Sequence, residues 1–349
     1  LSNRVTHFIK NFAGIFFITL LLLEVALRVW GKYDTYSEKN TRRYISLFNQ
    51  KLGSWYFLEK PFSSFNDVRG EFQFLHSVDS LGCNWYNTPA KADTAALKIL
   101  VMGDSFTFGI GAAQDSCWPK LLADMLRARC QKSVQVINGS RQASDPFFSY
   151  VNYRDILKQL QPDLILLALN STDILEVYSR GGWDRFKADS SVQTAKAPWF
   201  EPFYHYSHVC RMLLYFTAHI DNEYLYSADK YDKLAVNSCT KLQDCIITFD
   251  KEATKNETKL IVLNFPLPRE IKDKEENQFF KYAPGLVALP FVNSAPDSLF
   301  RNYYKGHTIS NYYWPKDGHF NADGYRVMAE QIYDMLQQNK ILVPAACNK

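Results

Sequence analysis

The chain has 349 residues, with 40 Lys and Arg against 36 Asp and Glu, a net charge of +4 and 47% apolar residues. That length suits one large domain or two modest ones, and the composition excludes both wholesale disorder and a polytopic membrane protein. The small charge is spread thinly, which argues against a nucleic-acid partner, since that needs basic residues gathered into a patch.

The apolar residues are unevenly distributed. From Phe12 to Val29 the chain reads FAGIFFITLLLLEVALRV, interrupted only by Glu24 and Arg28. With its flanks this run approaches the length of a membrane-crossing helix. Arg4 and Lys10 precede it, Arg28 and Lys32 follow it, and the charge asymmetry is weak. A signal peptide with its apolar core at Phe12–Leu23 lacks a small-x-small cleavage site. The expectation is an uncleaved anchor over residues 1–32, with everything after it outside the cytoplasm, in a bacterial periplasm or at a cell surface. Glu24 and Arg28 are four apart on one helix face and suit an ion pair. The sharper reading makes Glu24 a contact to another membrane protein, but its place near the end of the span favours the pair. Trp30 and Tyr33 fit an aromatic belt.

Residues 33–95 are polar, aromatic and irregular, and read as a membrane-proximal segment packing on the domain C-terminal to it. Leu97–Met102, Val134–Ile137, Leu164–Leu169 and Leu260–Asn264 are short apolar runs of the kind that form buried parallel strands, with a further one at Leu286–Val292. Helical spacing marks Trp118–Arg129, Phe147–Leu160, Ser227–Glu257 and Asn321–Gln338. Alternation at these lengths means βαβ units: a three-layer αβα sandwich on a central parallel sheet, spanning 96–345 with a helical insertion at about 175–257. Aromatic residues make up 15% of the chain, and Trp199, Phe200, Phe203, Tyr204 and Tyr206 cluster in that insertion, either as an acceptor groove for sugars or as packing.

Seven cysteines include no CxxC pair and no Cys/His cluster of zinc spacing, so no metal is expected and most suit small buried apolar positions. Asn138, Asn170 and Asn256 begin glycosylation sequons, the first two at strand ends where a glycan is awkward.

In an open parallel sheet, sites form beyond the carboxyl ends of the strands. There the sequence places Gly103-Asp104-Ser105, then Asn138-Gly139-Ser140, then Asn170-Ser171-Thr172-Asp173, and from the far end Asp317-Gly318-His319. A serine hydroxyl needs a base to take its proton, and the base needs an acid to fix its tautomer. Ser105, His319 and Asp317 can fill those roles. Each also has a plain alternative: Asp104 and Ser105 as a helix cap, Gly139 as a turn residue, and His319 with Asn321 as the cap of the last helix. His205, His208 and His307 lack such partners and read as surface or packing residues.

The run ILVMGDSFTFGIGAAQDSCWPKLLADML, with Gly139, the terminal DGHFNADGY and the earlier HSVDSLG, resembles the SGNH (GDSL) hydrolase superfamily, in a membrane-anchored or secreted bacterial branch. The similarity spans about Ser80 to Gln338. It implies an acyl-serine mechanism without cofactor or metal, and an oxyanion hole from the amides of Ser105 and Gly139 and an asparagine side chain. The third block departs from the family's G-x-N-D: Thr172 holds the asparagine position and Asn170 the glycine position, so either is a candidate third donor. The expected function is an extracytoplasmic esterase acting on acyl esters, O-acetyl groups of an envelope or exported glycan foremost. The alternatives are an O-acyltransferase of a surface polysaccharide beside a membrane-bound acyl-donor protein, and a catalytically impaired glycan-binding or assembly protein.

Overall fold

The computed structural model describes residues 2–53, 59–84, 97–129, 133–220, 223–339 and 341. Helix α1 (Ser2–Trp30) leaves most of its apolar side chains exposed. Arg4–Trp30, 27 residues, is long and apolar enough to cross a membrane; at 1.5 Å per residue it reaches about 40 Å, against about 30 Å of hydrocarbon.

The segment after α1 is more regular than its composition suggests. It holds α2 (Tyr36–Thr41), the short strand β1 (Lys51–Leu52) and an antiparallel hairpin of β2 (Ser64–Val68) and β3 (Gln73–Ser77). A capping box starts α2: Glu38 N–H donates to Thr35 Oγ1, and Thr35 N–H to Glu38 Oε2. The hairpin buries Phe72 and half-buries Phe65 and Phe74 against Phe108 and Ile110, so it belongs to the domain.

The elements of the α/β domain come next in order: β4 (Leu97–Met102), α3 (Ser105–Phe108), α4 (Trp118–Arg129), β5 (Val134–Asn138), α5 (Pro146–Asp155), β6 (Leu164–Leu169) and α6 (Thr172–Arg180). Then come β7 (Val192–Gln193), α7 (Glu201–Tyr206), α8 (His208–Ala218), α9 (Tyr231–Lys255) and β8 (Lys259–Asn264). The chain closes through α10 (Pro268–Lys272), α11 (Gln278–Tyr282), α12 (Pro284–Val287), β9 (Val292–Asn293), α13 (Ala295–Tyr304) and α14 (Ala322–Gln338).

Five strands form one parallel sheet in the order β5-β4-β6-β8-β9. Every residue of β6 is buried, because successive side chains enter opposite cores. Leu164, Leu166 and Ala168 pack toward α4, α13 and α14; Ile165, Leu167 and Leu169 pack toward α5 and α9. The result is three layers, αβα.

Four expectations need correction in detail. Helical structure after α5 tightens into a 3-10 turn at Leu157–Leu160 and closes on Gln161 (φ 49) directly before Pro162, which cannot extend it. The run Leu286–Val292 does not form one strand: Pro284 starts α12, and only Val292–Asn293 pairs with β8. The long helix begins at Tyr231, after a 3-10 turn at Ala228–Lys230. Finally, α9 is a layer helix whose Leu242, Ile246 and Phe249 face the sheet, so the added material lies between α6 and α9. That material is tied back by β7, which pairs with β1.

The foot of α1 docks on this insertion. Glu24 accepts hydrogen bonds from Ser207 Oγ (2.9 Å) and from the amides of His208 (3.0 Å) and Val209 (2.9 Å), capping α8, while also pairing with Arg28 Nε at 2.7 Å. The expected ion pair is thus present, and the partner of Glu24 is this chain's own helix. Tyr204 is buried and Phe200 half-buried, whereas Trp199, Phe203 and Tyr206 are exposed, so the aromatic cluster is only partly packing.

Candidate active site

Strand β4 lies between β5 and β6, so the chain leaves it in one direction and returns on its other side; the crevice opens at its carboxyl end. There Gly103 makes the turn. A Cβ on it would stand 2.4 Å from Thr107 Oγ1, a distance no side chain tolerates. Asp104 caps α3, its Oδ1 accepting the Phe106 amide at 2.9 Å, and so takes over the capping that Ser105 would otherwise share.

Ser105 is thereby free to face elsewhere. Its Oγ lies 2.7 Å from His319 Nε2, and His319 Nδ1 lies 2.5 Å from Asp317 Oδ1. Asp317 and His319 reach each other only two residues apart because Gly318 adopts φ 91 between them. The loop is fixed from both sides: Trp314 N–H donates to His319 O at 2.9 Å, and Glu71 accepts the amides of Lys316 (2.7 Å) and Asp317 (2.8 Å). The His319 ring lies against Phe106, centroids 4.6 Å apart. Asp317 Oδ2 accepts the Tyr36 hydroxyl at 2.8 Å. Burial pushes the Asp317 carboxyl up, but its bonds from His319 and Tyr36 outweigh this and hold it below the usual range. With Nδ1–H given to an ionised carboxylate, Nε2 is left to take the Ser105 proton.

The expected oxyanion residues are not all available. Gly139 N–H donates to Val101 O at 2.9 Å, because the parallel ladder between β4 and β5 runs one residue further than its apolar run; this amide has no capacity for a substrate. Asn170 is fully buried, its Nδ2 donating to Asp104 Oδ2 at 2.8 Å, so it does not reach a substrate either. The hydroxyl and amide of Thr172 both donate to Asn170 Oδ1, at 2.7 and 2.9 Å. The residue sequence reasoning missed is Ala143. It sits at φ 51, exposed, in the loop after β5 whose Arg141 amide bonds Gly103 O at 3.2 Å. Among the described residues, no acceptor takes the amides of Ser105 or Ala143.

Behind the site lies a buried ionic layer. Asp145 caps α5 and is gripped by Arg185 through both oxygens, at 2.5 and 2.6 Å; burial pushes its carboxyl up, but Arg185 and Arg180 bring it down to about 2. Burial raises Asp104, and raises Asp173 well above the ordinary range with Glu176 beside it. Glu176 is raised to about 8, chiefly by burial and against the pull of Arg180.

Asp34, Glu38 and His208 offer ligand atoms within 4.8 Å of one another. Arg211 supplies the cation there, paired with Glu38, while His208 Nε2 meets Asp34 at 2.8 Å. His205 and His307 stack on Tyr206 and Tyr303. Cys83, Cys117, Cys239 and Cys245 are buried and Cys210 is half-buried; Cys130 and Cys347 lie outside the described residues. Asn138 and Asn170 are fully buried, which closes both sequons to a glycan.

Residues 99–332 match the family model for the GDSL-like Lipase/Acylhydrolase. An arylesterase of Vibrio mimicus is 37% identical over 82 residues, covering 24% of this chain and 40% of that protein, so the chain matches less than half the length of this curated relative. Among solved structures, a lipase from a goat rumen metagenome is similar at 14% identity and TM-score 0.45, covering 68% of this chain and 97% of its own. TesA is similar at 15% identity and TM-score 0.44, covering 69% and 98%.

Proposed function

From a chain that belongs to the GDSL-like lipase/acylhydrolase family, we propose a serine esterase working through an acyl-Ser105 intermediate, tethered by α1 outside the cytoplasm. The observation that carries this is the unbroken run Ser105 Oγ–His319 Nε2 and His319 Nδ1–Asp317, at 2.7 and 2.5 Å. Ser105 Oγ attacks the ester carbonyl as His319 Nε2 takes its proton. The oxyanion is held by the amides of Ser105 and Ala143. As the tetrahedral intermediate collapses, His319 passes the proton to the departing alkoxide, leaving acyl-serine and a free alcohol. Water then attacks, with its proton on His319; the carboxylic acid leaves and Ser105 recovers its hydrogen. Asp317 stays ionised throughout and orients the imidazole.

The substrate class we favour is an O-acetylated glycan of the envelope. A cavity of about 320 Å³ opens at Thr172, lined by Tyr226 and Tyr231 rings with Arg269 and Gln278, a mixture that suits a sugar unit. Replacing Ser105 by Ala is expected to abolish hydrolysis of a short-chain aryl acetate and labelling by a fluorophosphonate. Undiminished turnover in that variant overturns the assignment. Acyl transfer to oligosaccharides faster than to water replaces the esterase by an acyltransferase on the same residues.

A further inference from the structure

The carboxylate that orients His319 is held by a residue from the far end of the chain. Tyr36, on the first turn of α2, is 37% exposed, yet its hydroxyl donates to the buried Asp317 Oδ2 at 2.8 Å. Burial and the neighbouring carboxylate keep this phenol protonated, so it is a permanent donor. Helix α2 is itself clamped. Arg211 of α8, 2% exposed, grips both oxygens of Glu38 and also donates to the carbonyls of Tyr33 (3.1 Å), Tyr204 (2.7 Å) and His205 (3.0 Å). On the other side Glu223 accepts from Ser37 Oγ at 3.0 Å. The same helix α8 is capped by Glu24 from the foot of α1.

We infer that Tyr36 is a positioning residue for Asp317, and that the Arg211–Glu38 clamp at the foot of the anchor acts on the site through it. This rests on the esterase reading, and it gives the membrane-proximal segment a part in the reaction. A carboxylate that loses one of its donors is more basic and less well aimed. It then raises the proton affinity of His319 and loses orientation, so turnover falls and the acid limb of the pH profile moves up. The charged and titratable groups facing this point are His319, Arg69 and Tyr36 around Asp317, Glu71 on the loop amides, and Glu223 on the α2 side.

The test is Tyr36→Phe in the full chain, which keeps the ring and removes only the hydroxyl. With an aryl acetate, kcat is expected to fall roughly 10-fold with KM within about twofold, and the acid limb to rise by about half a unit or more. An unchanged kcat and limb overturn the proposal; so does a loss of activity that tracks a lowered melting temperature while the limb stays put. Glu38→Gln preserves the cap of α2 and weakens the clamp. It is expected to slow the parent enzyme but not to slow Tyr36→Phe further; additive losses overturn the claim that the clamp acts through Tyr36. If the parent chain itself neither turns over the ester nor takes a fluorophosphonate, the esterase reading fails. A reactive parent matched by an equally reactive Tyr36→Phe variant sinks the positioning role alone.

Discussion

Thr172 is where two readings of this site can be separated by one substitution. If its hydroxyl served the oxyanion, its loss would cost on the order of 100-fold in rate. In the structure that hydroxyl donates to Asn170 Oδ1 at 2.7 Å, within a buried set that also ties Asn170 to Asp104. Thr172→Val has nearly the same shape and removes only this bond. The expected result is a modest destabilisation, about 1 kcal/mol, with kcat preserved within about threefold. A 100-fold fall without loss of fold would restore Thr172 as a donor. Side chains and backbone amides differ in what a sequence reveals of them. Ser105, His319 and Asp317 are visible because their residue types announce their chemistry. Ala143 has no such signature: what singles it out is a backbone in the left-handed region and an unclaimed amide, and alanine at φ 51 leaves no trace in a sequence. Gly139 misleads for the converse reason: the resemblance sets it at the glycine block, while its amide closes the ladder on Val101 O directly after β5.

At the scale of elements, α6 places two carboxyls in a buried layer. Its first turn and second turn bring Asp173 and Glu176 into the layer beneath the site, with Arg180 on the next turn. Burial dominates, and Glu176 sits at about 8 in the fold against 4.5 when free. A raised folded value means the native state holds a proton that the unfolded chain has already released. Stability therefore falls as pH rises from about 4.5 through 8, and levels off above. Glu176→Gln keeps the neutral shape and removes the titration. Urea midpoints measured from pH 5 to 9 should decline less steeply in this variant than in the parent; parallel declines would place the sensitivity elsewhere. The strands feeding this layer are legible because a fully buried parallel strand is a solid apolar run, as in Leu164–Leu169. The hairpin β2–β3 is not, because its alternating exposure carries little apolar signal and its partner surface, Phe108 and Ile110, is fixed only by the tertiary fold.

For the whole molecule, the proposed tethering through α1 can be tested by the force that would drive it. Two forces compete: apolar burial of α1, and attraction of Arg28, Lys32 and their neighbours to anionic lipid. Their salt dependence differs, because a cation at a lipid surface is screened within about 8 Å at physiological ionic strength while buried apolar area is not. The structure favours the first. Phe16, Phe17, Leu21 and Leu22 are all more than half exposed along α1, and beside its foot α7 and α8 expose Phe203, Tyr206, Leu213 and Phe216. Apolar and aromatic side chains of this kind gain by entering a bilayer and its interface. The full chain should therefore float with vesicles of neutral lipid and remain with them in high salt. Replacing Leu21 and Leu22 by Lys puts two charges where each costs about 2.5–3.5 kcal/mol, and should release the protein. It should leave esterase activity intact, because those positions face away from the domain and the Glu24 cap on α8 is untouched. Wild-type protein that washes off in salt would instead assign attachment to charge, and α1 would then need a role other than a span.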